Sequence, residues 1–226
     1  MRLEVWLPIY EDICKEFGFD KSEDISSARM LASMLGNRSR ASLDQVKERS
    51  YETVLVCGGG ESLADDLSST DVLWPVVAAD SATTVVVESG VRPDIIVTDL
   101  DGIVEDQIEA NSQGVPVFIH AHGDNKTHIK RYVGSFPGPV VGTCQCAPPK
   151  GLFNFGGFTD GDRAACISAA LGAKTIFLAG FDFKKPASKP GKDWKVKLKK
   201  LVWARRILDE LANEGNKILP VSEYRG

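Results

Sequence analysis

The sequence predicts an α/β fold: a mostly parallel, Rossmann-like sheet with helices on both faces, preceded by a helical extension over residues 1–50 and formed by residues 51–226. Three observations carry that expectation. Short apolar runs of strand length alternate with helical stretches. Runs such as Val54-Leu55-Val56 and Ile95-Ile96-Val97 are apolar on both sides, as a parallel sheet covered on both faces requires. The residues just after the runs are rich in glycine and carboxylates, which packing alone does not ask for.

In residues 1–50 the apolar positions Ile25, Ala28, Leu31, Ala32 and Leu35 recur at helical spacing, with Asp24 or Ser22 available as a cap and Gly36-Asn37 as a stop. The strand-like runs follow at Thr53–Cys57, Pro75–Ala79, Asp94–Thr98, Val115–His120, Pro139–Gly142, Thr175–Gly180 and Lys217–Val221. Between them lie helical candidates at Ser62–Ser68, Ala82–Ser89, Val104–Ser112, Lys126–Val133, Asp160–Leu171 and Trp194–Glu214. No repeat beyond this alternation is present.

The 226 residues suffice for one large domain with a real core. A formal charge of −4 is too mild, and of the wrong sign, for a protein that coats nucleic acid. Five cysteines with no C-x-x-C pair suggest neither a disulfide framework nor a zinc ribbon, so reduced thiols in a cytoplasmic protein are expected. Glu4, Glu11, Asp12, Glu16 and Asp20 argue against a signal peptide, and no apolar run approaches the roughly 18 residues of a membrane helix.

In an open α/β sheet, ligands bind outside the carboxyl ends of the strands, which directs attention to the loops there. Gly58-Gly59-Gly60 follows a strand and, with Ser62, opens a helix, a setting in which backbone N–H groups can cradle phosphate; the alternative is a plain tight turn. It matches neither the dinucleotide fingerprint nor a P-loop. Asp99-x-Asp101, with Asp80 and Asp124 at neighbouring strand ends, can hold a hard cation such as Mg²⁺ that in turn binds phosphate oxygens. Turn chemistry and capping are the competing explanation.

His120-x-His122 can line the site or serve as structural imidazoles tied to backbone carbonyls; with Asp124 and Cys144-x-Cys146 they do not build a zinc tetrahedron. Gly156–Asp162 leads into a small-residue helix, where Thr159 or Asp160 can cap or can meet a ligand.

The charge is unevenly spread. Residues 184–206 carry +9 and the remainder −13. Pro186, Pro190 and Gly191 make the first half a loop, whose Lys184, Lys185, Lys189 and Lys192 could close over a polyphosphate as a lid or could simply be solvated. Acidic strand ends bridged to phosphate by Mg²⁺, with a basic loop opposite, suit metal-assisted phosphoryl or pyrophosphoryl transfer.

The run Ala79-Asp80-Ser81-Ala82, then Arg92-Pro93-Asp94, then Thr98-Asp99-Leu100-Asp101-Gly102 resembles the signature of the thiamin pyrophosphokinase catalytic domain. The whole chain more closely resembles the archaeal-type 6-hydroxymethyl-7,8-dihydropterin pyrophosphokinases, through Trp6–Ile13, Gly58–Ser62, His120–Asn125, Gly157–Asp162 and Gly180–Phe183. There is no room for a thiamin-recognising sandwich. The resemblance implies an enzyme that moves pyrophosphate from ATP to the hydroxymethyl group of a reduced pterin, releasing AMP, with Asp80, Asp99, Asp101 and Asp124 holding Mg²⁺. It also implies pterin or phosphate contacts from His120, His122, Asn125, Thr159 and Asp160. No nucleic acid or membrane partner is expected, and a homo-oligomer is admissible. The rival readings are a nucleotide-sugar-dependent glycosyltransferase-like enzyme, since Asp-x-Asp serves there too, and a non-catalytic nucleotide-binding module.

Overall fold

The computed structural model describes residues 1–184 and 194–224. Helices α1 (Leu3–Phe17), α2 (Lys21–Leu35) and α3 (Arg38–Val46) come first. Strands β1 (Thr53–Cys57), β2 (Val76–Ala79), β3 (Ile95–Thr98), β4 (Val117–Ala121) and β5 (Val140–Cys144) alternate with α4 (Leu63–Ser68), α5 (Ala82–Glu88), α6 (Val104–Ser112) and α7 (Lys126–Tyr132). Helix α8 (Asp160–Ala170), β6 (Thr175–Ala179), α9 (Trp194–Asn213) and β7 (Lys217–Pro220) complete the chain.

Among the described residues the strands form one parallel sheet in the order β5-β4-β3-β2-β1-β6-β7. Val56, for example, pairs with Val77 on one side and Leu178 on the other. Alternate residues of β1 enter opposite layers of core: Val54 and Val56 pack in the larger cluster, Leu55 and Cys57 in the smaller one with Leu63, Leu67, Ala82 and Val86. The runs apolar on both sides are therefore buried on both sides.

The chain leaves β1 toward β5, then returns to place β6 on the far side of β1. That reversal puts a topological switch point between β1 and β6, the place where such sheets open a crevice.

The N-terminal helices share the core of the sheet. Trp6, Ile13, Ala28, Leu31 and Leu43 are buried in the same cluster as Phe118 and Ile119 of β4, and α2 and α3 lie against β5. Hydroxyls of Ser42 and Ser39 accept the N–H groups of Val140 and Gly142, so α3 satisfies the outer edge of β5. Two details differ from expectation. The cap of α2 is Asp20, which accepts from the Ser22 N–H at 2.8 Å, whereas Asp24 lies one turn inside the helix and is buried. Ile25 faces solvent, because the buried stripe runs through Asp24, Ala28, Leu31 and Leu35.

Candidate active site

A cleft of about 710 Å³ opens at the carboxyl ends of the strands. Asp80 forms its floor. It follows β2 directly with φ of 45°, a left-handed conformation that aspartate tolerates better than most residues. Its Oδ1 accepts from the Thr98 hydroxyl (2.8 Å), the Gly102 N–H and Gln107 Nε2 (both 3.2 Å). A Cβ at position 102 would lie 2.7 Å from the Asp80 carboxylate, so only glycine lets the loop close around it.

The Asp-x-Asp loop is divided by its middle residue. Leu100, buried with φ of 69°, is bulky for the left-handed region and is held there by its N–H bonding to Thr98 Oγ1 at 2.8 Å. Plugging Leu100 into the core sends Asp99 into the cleft and leaves Asp101 exposed at the rim.

Asp160, on the first turn of α8, completes a group with Asp80 and Asp99 in which one carboxylate oxygen from each lies within 4.8 Å of the others. It is the one such group of potential ligands among the described residues. Of the four residues expected to hold a cation, the structure brings Asp80 and Asp99 together, with Asp160 in place of Asp101 and Asp124, which line the cleft outside the group. Cys144 and Cys146 are buried free thiols and form no such group with the histidines.

The electrostatics reflect three carboxylates forced together. Burial, followed by the charge of Asp99, pushes the Asp160 carboxyl well above its usual range, with Asp80 and Asp101 adding to the effect and Arg163 opposing it. Arg163, itself buried, donates to Asp160 Oδ1 at 2.7 Å and to Phe158 O at 2.9 Å. Asp99 goes the other way. Burial would raise it, but the hydrogen bond and charge of His122, the charge of Arg163 and the Asp101 N–H together hold it at about 2. His122 Nε2 stands 3.4 Å from Asp99 Oδ2.

His120 and Asn125 are not cleft residues. His120 is buried, bonded through Nδ1 to Thr143 Oγ1 at 3.0 Å, and burial with the nearby Arg163 and His122 charges keeps it neutral. Asn125 donates to Asp99 O and His120 O and accepts from the His122 N–H. It ties the β3 and β4 loops together, and the structure places both residues, expected as substrate contacts, behind the cleft lining.

Gly58, Gly59 and Gly60 line the cleft, yet the Gly58 N–H donates to Ala179 O and the Gly60 N–H to Gly180 O, both at 2.8 Å. A Cβ on Gly60 would fall 2.4 Å from Gly180 O. Glycine is needed at Gly60 for the β1 and β6 loops to touch, and two of the three N–H groups expected to meet phosphate are already used. Ser62 is outside the cleft lining, bonded to Asp66.

Thr159 lines the cleft and its N–H donates to Asp162, whose carboxylate also takes the Phe158 N–H and the Thr159 hydroxyl. Lys184 is exposed and outside the lining. Lys185, Lys189 and Lys192 lie outside the described residues. Lys197 and Lys200 of α9 do line the cleft, as do Phe19, Asp24, Gln145, Phe158 and Phe181; the lysines belong to the basic segment and Phe158 and Phe181 to quoted motifs, but none of the seven was expected as a site residue. For Asp160 and Arg163 a signal existed: an acid and an arginine three residues apart at the mouth of a small-residue helix.

Comparison with known proteins fits this geometry. Residues 28–187 match the family described as 6-hydroxymethylpterin diphosphokinase MptE-like. Three curated proteins named 6-hydroxymethyl-7,8-dihydropterin pyrophosphokinase align over nearly all of both chains. That of Methanothermobacter thermautotrophicus is 42% identical over 96% of this chain and 97% of its own. That of Pyrococcus furiosus is 41% identical over 98% and 100%, and that of Methanocaldococcus jannaschii 34% over 95% and 97%. The solved MAf glycosyltransferase of Magnetospirillum magneticum AMB-1 superposes with a TM-score of 0.51 at 15% identity, over 78% of this chain and 35% of its own, a likeness of fold alone. The chain belongs to the 6-hydroxymethylpterin diphosphokinase MptE-like family.

Proposed function

We propose that the protein transfers pyrophosphate from ATP to the hydroxymethyl group of 6-hydroxymethyl-7,8-dihydropterin. The observation that carries this reading is the group formed by Asp80, Asp99 and Asp160 at the floor of the cleft. Its donors are hard oxygens only, which suits Mg²⁺. A Mg²⁺ held by these three carboxylates would offset the charge of the transferring phosphates.

The pterin hydroxymethyl oxygen attacks the β-phosphorus, the bond from that phosphorus to the α,β-bridging oxygen breaks, AMP leaves, and the hydroxyl proton passes to solvent or a carboxylate at the rim. Little covalent work falls to the protein in such a transfer, so its residues act by position and charge. Arg163 fixes the orientation of Asp160 through the 2.7 Å bond. His122 does the same for Asp99. Lys197 and Lys200 bring positive charge to the cleft wall provided by α9.

Mass analysis of products from ATP, Mg²⁺ and 6-hydroxymethyl-7,8-dihydropterin tests the reading. AMP and the pterin pyrophosphate ester in equal amounts are expected. ADP with a monophosphate ester, or turnover of a nucleotide sugar in place of ATP, would overturn it.

A further inference from the structure

The carboxylate group divides the cleft into two flanks. Asp80 and Asp99 extend from β2 and β3 near the middle of the sheet. On one side stand the β1 and β6 loops, with Gly58–Gly60 and Gly180–Phe183, at the switch point of the sheet. On the other stand the β4 and β5 loops, with Asp124 and Gln145, and the α1–α2 link with the start of α2.

The second flank is unsuited to a polyphosphate. Asp20, Glu23, Asp24 and Asp124 line it, and the nearby Lys126 is engaged by Glu23 at 2.5 Å. It offers something else. Asp24 is buried, makes no salt bridge among the described residues, and is oriented by three donors: Tyr10 Oη (2.6 Å), Gln145 Nε2 (2.7 Å) and the Gly123 N–H (2.7 Å). Burial, reinforced by Asp24, raises the Tyr10 hydroxyl far above its usual range, so it stays a donor. Gln145 is fixed in turn, its carbonyl accepting from Trp6 Nε1 (2.8 Å) and Asn154 Nδ2 (3.0 Å). Phe19 and Phe158 line the same cleft as an aromatic wall, ring centroids 6.3 Å apart, with Lys200 Nζ 5.5 Å from the Phe158 centroid.

With Oδ2 taken by Tyr10 and Gln145 and Oδ1 by Gly123 alone, Asp24 keeps one acceptor position, which beside an aromatic wall suits a planar heterocycle with an exocyclic N–H donor on its edge. The 2-amino group of a pterin is such a donor. We infer that the acceptor ring binds on the flank built from α2 and the β4–β5 loops, with Asp24 Oδ1 receiving an N–H of its 2-amino group and Phe19 and Phe158 covering its face. This rests on the proposed pyrophosphoryl transfer. It leaves the switch-point flank to the nucleotide, so donor and acceptor approach from opposite sides of the carboxylates, as in-line displacement requires.

Fluorescence titration of the full chain with two fluorescent probes tests the inference: 6-hydroxymethylpterin, and 6-hydroxymethyllumazine, which carries a 2-oxo group in place of the 2-amino group. Wild-type protein is expected to favour the pterin by roughly tenfold, because the lumazine sets an acceptor against the carboxylate. Asp24→Asn should erase or invert that preference, while Phe19→Ala should weaken both probes and keep it. A ratio within one variant does not depend on how much of that variant folds. Equal affinities in the wild type, or a preference that survives Asp24→Asn, would overturn this placement while leaving the transfer reaction standing. Failure of wild type to bind either probe, with or without a non-hydrolysable ATP analogue, would overturn the pterin reading and the placement with it.

Discussion

Asp99 and Asp101 stand two residues apart in one loop and have opposite fates. Asp99 sits among two other carboxylates, an arginine and a histidine, held at about 2. Asp101 stands exposed at the rim, outside the group. The same division runs through the whole cleft. Asp80, Asp160 and Arg163 are fixed by hydrogen bonds from the surrounding fold, whereas Asp124 and Lys184 are exposed. The inner groups are held in place before any ligand arrives, which is where electrostatic catalysis gains most. Proximity in sequence is a poor guide to which group a residue joins.

That contrast can be broken in several ways. The largest expected effect is on turnover: Asp99→Asn or Asp80→Asn should reduce kcat by on the order of 100-fold or more, and Asp101→Asn by less than about tenfold. Steady-state kinetics with saturating substrates separates the two, and equal losses would erase the distinction between floor and rim. Next comes the brace of the Thr159 loop. Asp162 receives three donors there, so Asp162→Ala should lower stability by about 2–3 kcal/mol, read as a fall in the urea midpoint.

A smaller, pH-dependent effect follows from Asp160. Its carboxyl is raised in the fold, so between the unfolded and folded values the native state binds more protons than the unfolded state. The contribution is present at low pH and is lost as pH rises through the folded value. Thermal unfolding of the metal-free protein should therefore show Tm falling as pH rises above the usual carboxylate range, and added Mg²⁺ should raise Tm more at the upper end of the titration than on its acidic side. A larger rise on the acidic side would contradict the crowding of charge at the floor. The smallest effect belongs to the wall from α9: Lys200→Gln should raise the KM for ATP a few-fold, less so at high salt, and salt-independent kinetics would return that lysine to a packing role over Phe158.

Much of the fold was legible because its signals are local. Val104–Ser112 and Thr53–Cys57 are helix and strand with the bounds that periodicity and apolar runs suggest. The meeting of Asp80 and Asp99 in one cleft was legible too, because neighbouring strands of a parallel sheet end on the same side. The misplaced residues share a physical cause. Asp160 lies about sixty residues from Asp99 and meets it only after α8 packs across the sheet. Asp24 looks like a helix cap in sequence, and only the arrival of Tyr10, Gly123 and Gln145 from three other segments shows that it is buried. Leu100 separates the Asp-x-Asp pair through a backbone conformation that composition does not announce.

The proposed reaction depends on a divalent ion held by Asp80, Asp99 and Asp160. Electron paramagnetic resonance of Mn²⁺ titrated into wild-type protein, Asp99→Asn, Asp160→Asn and Asp101→Asn measures that directly, without turnover. High-affinity binding is predicted to persist in Asp101→Asn and to be lost in Asp99→Asn and Asp160→Asn. Binding that survives in Asp160→Asn and disappears in Asp101→Asn would contradict it.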